Sequence, residues 1–156
     1  MALTLETGLQ GKRLAIVIAD DHEVVRRGVK ALLESREGWR VVAEAANGRE
    51  AVEMTQQFQP DLVIVDISMP DVDGLTAVRR LRDMGLEVEA LILTYHDSPQ
   101  MVRIAFDAGA HGYVLKSDAG LDLIAAVDAV RQHKRFVSPR IARDLPQGYD
   151  PTTPDS

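Results

Sequence analysis

The chain has 156 residues, 46% of them hydrophobic and 27% charged, which supplies apolar material for one ordinary core and charge to keep its surface solvated. It contains no cysteine, which excludes disulfides, thiolate metal sites and cysteine nucleophiles, and its formal net charge of −6 disfavours direct nucleic-acid binding, which needs a basic footprint. The first ten residues show no basic start followed by an apolar stretch, and no segment reaches the roughly 18 uninterrupted apolar residues of a membrane span, so a cytoplasmic address without membrane association is expected.

After a short tail over 1–11, residues 13–19 form a nearly unbroken apolar run of strand length that ends on the acidic pair Asp20 and Asp21. An amphipathic helix follows, with Val24, Val25, Gly28, Val29, Leu32 and Leu33 on one face and Glu23, Arg26, Arg27, Lys30 and Glu34 on the other. A second strand is predicted over 39–45, and Asn47-Gly48 opens a helix through Ala51, Val52, Met54 and Phe58 that stops before Pro60. Residues 61–65 form a third apolar run, ending on Asp66. The third helix begins near Asp73-Gly74, with Leu75, Val78 and Leu81 inward and Arg79, Arg80 and Arg82 outward. A fourth strand over 89–93 ends on Thr94, and Ser98-Pro99 opens a helix that closes at Gly109. A short strand over 112–115 ends on Lys116, and Asp118 is expected to cap a fifth helix running through Leu121, Ile124, Ala125, Val127 and Val130 to about Lys134.

Continuous rather than alternating apolar runs indicate strands covered on both faces, as in a parallel sheet with helices on each side. Five such units make a (βα)5 sandwich spanning 12–136. Four of the seven prolines, Pro139, Pro146, Pro151 and Pro154, fall in the last 18 residues without apolar period, so 137–156 is expected to be a linker or disordered tail.

In open parallel sheets, chemistry collects beyond the carboxyl ends of the strands. Asp20, Asp21, Asp66, Thr94 and Lys116 all occupy that edge. Two adjacent carboxylates and a third from another strand offer hard oxygen ligands for Mg2+. A carboxylate beside such a cation can attack a phosphoryl group, and Asp66 is placed for that role. Lys116 and the Thr94 hydroxyl would then meet the phosphoryl oxygens. Taken singly, each residue has a plainer reading: a helix cap, a loop entry, a satisfied strand threonine, a surface lysine. Their joint placement at four strand ends carries the inference.

The segments 19–28, 65–75, 93–97 and 108–116 resemble those of receiver domains of two-component response regulators. They are most similar to the NarL/FixJ (LuxR-type) branch, whose members carry a C-terminal helix-turn-helix. The resemblance covers about 12–136 and implies a flavodoxin-like, doubly wound parallel five-stranded α/β fold with strand order 2-1-3-4-5. It implies that a sensor histidine kinase phosphorylates Asp66, with Asp20, Asp21, Asp66 and the backbone carbonyl of Ser68 around Mg2+, Asp20 acting mainly through water. Thr94 and Tyr113 match the switch pair, in which the hydroxyl moves to the phosphate and the ring turns inward behind it. A phosphorylation-dependent homodimer is expected, as is transcriptional output through a DNA-binding domain that this chain does not include. The tail resembles the linker before that domain, so the expectation is a chain cut ahead of it; a receiver without DNA-binding output is the alternative.

The chain departs from the family pattern at two site positions. Tyr95 stands where many receivers have a small residue after the threonine, and it would narrow access to Asp66 and slow autodephosphorylation. Ser117 replaces a common proline after the lysine, so a trans bond is expected. Ser68 and His96 are further candidates for tuning dephosphorylation, His96 by orienting or blocking water. His22 reads as a helix-start residue, His111 and His133 lack metal-site spacing, and Met54 and Phe58 read as core. A dehalogenase-type phosphatase would carry a second Asp where Ser68 stands. A nucleotide or flavin module would need a glycine-rich loop after the first strand, where this chain has Asp20-Asp21-His22.

Overall fold

The computed structural model describes residues 13–145; the tail expected over 1–11 and prolines 146, 151 and 154 lie outside the described residues. Strands β1 (Leu14–Ala19), β2 (Trp39–Ala45), β3 (Leu62–Val65), β4 (Glu89–Thr94) and β5 (Gly112–Leu115) alternate with helices α1 (Glu23–Glu34), α2 (Gly48–Phe58), α3 (Gly74–Asp83), α4 (Pro99–Ala108) and α5 (Ala119–Arg131). All strand pairs are parallel. The order is β2-β1-β3-β4-β5-β6, the predicted flavodoxin-like arrangement with one strand added. That sixth strand, β6 (Phe136–Val137), is short and sits at the edge against β5.

Alternate residues of each strand feed two separate cores, as a period of two demands. Leu14, Ile16, Ile18, Ile64, Leu91 and Val114 pack with Val29 and Leu33 of α1 and Leu123, Val127 and Val130 of α5. Val17, Ala19, Val63, Val65, Ile92 and Tyr113 pack with residues of α2, α3 and α4. Strand residues buried on both sides explain the unbroken apolar runs.

The helix starts follow local chemistry. Asn47, Asp73 and Ser98 each accept a hydrogen bond from the backbone N–H three residues on, capping α2, α3 and α4. Gly109 closes α4 in the left-handed region at φ 112°. Gly74 is required for a different reason: a side chain there would collide with the backbone carbonyl of Asp66, so glycine lets α3 start directly against the loop that holds Asp66.

Several expectations need correction. The stretch from 137, expected as linker, continues the fold: Val137 belongs to β6, residues Pro139–Ala142 form α6, Ser138 is fully buried and Ile141 is 1% exposed. Two apolar anchors four residues apart are too few to register as a period, and Pro139 suits the first turn of a helix instead of breaking one. Asp118 makes no capping bond to α5; a 3-10 turn over Lys116–Asp118 precedes that helix, and Asp118 pairs with Arg140 at 2.9 Å. Val24, on the apolar face of its helix, and Phe58, read as core, are exposed, as is Leu121 on the fifth helix. Arg82 was placed outward with Arg79 and Arg80. Its guanidinium instead turns in to donate to the carbonyls of Leu86, Val88 and Gly109 at 2.9, 2.7 and 2.8 Å.

Candidate functional site at the carboxyl edge of the sheet

Each strand end delivers its residue to one pocket. Asp20 follows β1, and its backbone N–H donates to Ala45 of β2; Asp66 follows β3, and its N–H donates to Ala19 of β1. Each acidic residue is thus held by the neighbouring strand just where its own pairing ends. Asp20 and Asp66 are 3% and 5% exposed, while Asp21 faces solvent. Lys116, at the end of β5, lays its ammonium between them, 2.6 Å from Asp20 Oδ2 and 2.8 Å from Asp66 Oδ2. Burial by itself would lower the Lys116 pKa, but hydrogen bonds and charge from Asp20 and Asp66 outweigh it, so the lysine is held above its usual value and stays charged.

Three carboxylates against one ammonium leave the cluster short of positive charge. His22, read from sequence only as a helix-start residue, does begin α1, and its Nδ1 also lies 3.2 Å from Asp20 Oδ1 and 3.1 Å from Asp21 Oδ1. One ligand atom from each of Asp20, Asp21, His22 and Asp66 lies within 4.8 Å of the others. A donor set dominated by hard carboxylate oxygens, with a charge deficit, fits a hard divalent cation of the Mg2+ type. The packing of His22 on both carboxylates had no clear mark in the sequence; its adjacency to the acidic pair was the one available signal.

The rim is built by the β4–α4 loop. Thr94 is fully buried, and its Oγ1 accepts from His96 N at 3.4 Å, a long bond. Tyr113 is fully buried too, with its hydroxyl donating to the His96 carbonyl at 2.7 Å. Burial pushes the Tyr113 phenol pKa far up, with the charges of Asp97 and Asp66 adding to the shift. The His96 ring reaches across to Ser68, Nε2 to Oγ 2.7 Å, so this residue touches Ser68, Thr94 and Tyr113. Tyr95 is 66% exposed, with its ring centroid 5.1 Å from the Lys116 ammonium. It stands beside the lysine that contacts Asp66. The Lys116–Ser117 bond is trans. His111 and His133 lie apart from the cluster: His111 accepts from Ala90 N, and His133 faces Glu89.

Fold and site together define a doubly wound α/β protein with an acidic, lysine-closed pocket beyond the carboxyl ends of its strands. Residues 16–128 match the model of the response regulator receiver domain, and the chain belongs to that family. It is 36% identical over 137 residues to the transcriptional regulatory protein DegU of Brevibacillus brevis, covering 88% of this chain and 58% of DegU. The chain therefore spans little more than half the length of that relative. Among solved structures it is similar to a LuxR-family two-component response regulator from Aurantimonas sp. SI85-9A1, with a TM-score of 0.83 and 37% identity over 86% of this chain and 96% of that one. The isolated receiver domain of RcsB from Salmonella enterica serovar Typhimurium, solved in the presence of the phosphomimetic BeF3−, matches with a TM-score of 0.80 and 28% identity over 86% of this chain and all of that one. RcsB has also been solved as dimers bound to DNA. The relatives place this receiver in the NarL/LuxR type of two-component response regulator, a group tied to transcription regulation. Among the described residues no helix is long and apolar enough to cross a membrane.

Proposed function

We propose that this chain receives a phosphoryl group on Asp66 from the phosphohistidine of a sensor histidine kinase, and passes the change on to a transcriptional output. The observation that carries the reading is Lys116 bridging two buried carboxylates, Asp20 and Asp66, in a pocket with a surplus of negative charge. Buried like charges are costly, and a fold retains them where chemistry uses them.

Asp20, Asp21 and Asp66, with the Ser68 carbonyl, would hold Mg2+, which when bound neutralises charge between the acceptor and the incoming phosphate. The Asp66 carboxylate attacks phosphorus, the bond from phosphorus to the donor nitrogen breaks, and the imidazole takes that electron pair. Lys116 follows the charge from Asp66 onto a phosphoryl oxygen. Thr94 gives up its long bond from His96 N and donates its hydroxyl to a second oxygen. Tyr113, packed behind Thr94, fills the space inside. The state with Thr94 forward and Tyr113 inward is favoured by the phosphoryl group, a shift in population between two conformations. His96, tied to Ser68, fixes the rim where water would approach, and Tyr95 screens the lysine side. Both residues tune how long the phosphoryl group survives.

By the same reading the intact protein works in the cytoplasm, dimerises when phosphorylated and meets DNA through a domain outside this chain. The test is incubation with acetyl phosphate and Mg2+ followed by phosphate-affinity electrophoresis. The wild type should shift and Asp66→Asn should not; equal shifts, or none in either, defeat the assignment.

A further inference from the structure

β5 carries both Tyr113 and, at its end, Lys116, and it has two neighbours in the sheet. On one side lies β4 with Thr94. On the other lies the stretch that the sequence suggested was linker. Val137 stands opposite Tyr113 in register. The Ser138 N–H donates to the Tyr113 carbonyl at 2.9 Å, and the Ser138 hydroxyl accepts from the Leu115 N–H at 2.9 Å. That hydroxyl takes the place of the next strand residue, because β6 is only two residues long, and Ser138 is fully buried in doing so. Val137 and Ile141 join the same core cluster as Tyr113 and Leu115. Arg140 then reaches back to Asp118. Lys116 therefore sits between two tethers, one at Leu115 and one at Asp118, both made by residues 136–145.

We propose that docking of residues 136–145 along β5 is coupled to occupancy of Asp66, so that this segment carries the state of the site to the chain beyond Leu145. The proposal rests on the assignment of Asp66 as phosphoacceptor. Its sign follows from packing. The docked segment sets Val137 opposite Tyr113 in register and adds Ile141 to the same core cluster, so turning the Tyr113 ring outward would strip packing from that cluster. Docking thus favours the inward ring. Phosphorylation favours it as well, through Thr94. Two events that favour one state strengthen each other, and by linkage each does so by the same factor. A passive linker needs neither a fully buried serine on a strand amide nor an ion pair to the turn that follows Lys116.

The test is hydrogen exchange on the full chain, following peptides across 136–145 and 66–74, with and without Mg2+ and BeF3−. In the wild type, BeF3− should slow exchange across 136–145 by about fivefold or more, the lower end of ordinary coupling, and in Asp66→Asn it should not. Arg140→Ala removes a tether from a half-exposed side chain, and Ile141→Ala removes a core anchor. Whichever variant speeds exchange across 136–145 should bind BeF3− severalfold more weakly. Unchanged or faster exchange across 136–145 while 66–74 responds to BeF3− overturns the coupling alone. A variant with a loosened segment and wild-type affinity for BeF3− overturns it equally. No response in either region removes the Asp66 assignment, and the coupling with it.

Discussion

The two ends of the sheet use the same residue types in opposite ways. At the amino edge, Asp61 accepts from the Ala15 N–H at 2.8 Å, Glu89 faces Arg131 and His133 at 3.5 and 3.6 Å, and the His111 ring accepts from Ala90 N. Arg82 there closes three carbonyls left open by the ends of α3 and α4 and the loop before β4. Every one of these charged or ionisable groups meets an unlike charge or a backbone group. At the carboxyl edge, Asp20 and Asp66 share one ammonium while Asp21 lies beside them against His22. The amino edge spends its polar groups on holding the fold, whereas the carboxyl edge gathers an excess of carboxylates that could hold a metal ion. Strand polarity supplies the reason: in a parallel sheet every βα loop opens on the carboxyl side, where side chains from different strands can converge.

The largest expected effect that tests this contrast is at Arg82. Arg82→Ala leaves three carbonyls without their donor and should lower stability by roughly 3 kcal/mol, read from urea unfolding, with phosphoryl uptake per folded molecule unchanged. A loss below about 1 kcal/mol would mean that the amino edge is not the structural end. Next comes the charge surplus. At ten times its dissociation constant Mg2+ should stabilise the wild type by about 1.4 kcal/mol, and Asp66→Asn much less. Without metal, Asp66→Asn should be at least as stable as the wild type, because a like charge is gone. Equal stabilisation of both proteins by Mg2+ would break the comparison. The smallest effect concerns His111, whose pKa is lowered to about 4, first by burial and then by the charge of Arg82. The unfolded chain takes up the proton near pH 6.5 and the folded one only near 4. Stability is therefore full above about 6.5 and falls as pH drops towards 4, by ~1 kcal/mol once discounted for the ring's partial contact with solvent. His111→Gln should flatten that part of the stability curve relative to the wild type.

Much of this was legible in the sequence because a strand covered on both faces must be apolar throughout. The residue that ends such a run stands at the carboxyl edge, so Asp20, Asp66, Thr94 and Lys116 announced their place. The capping residues Asn47, Asp73 and Ser98 were equally readable, since a cap is a local event. Arg82 was not, because it shares its composition and helix with Arg79 and Arg80. What separates it is the nearby end of α4, and no period within α3 records that. Phe58, Val24 and Leu121 failed for the converse reason: each fits an apolar stripe, but the stripe continues past the surface that the core offers to cover.

The sequence by itself determined the parallel α/β pattern, the edge on which the acidic and basic groups gather and the identity of those groups, because these follow from local periodicity and strand polarity. The tertiary structure alone decided that Lys116 bridges Asp20 and Asp66, that His22 and His96 close on their neighbours, and that residues 136–145 dock on β5. Those are contacts between residues far apart in the chain or side-chain turns within a loop, set by how packed elements meet.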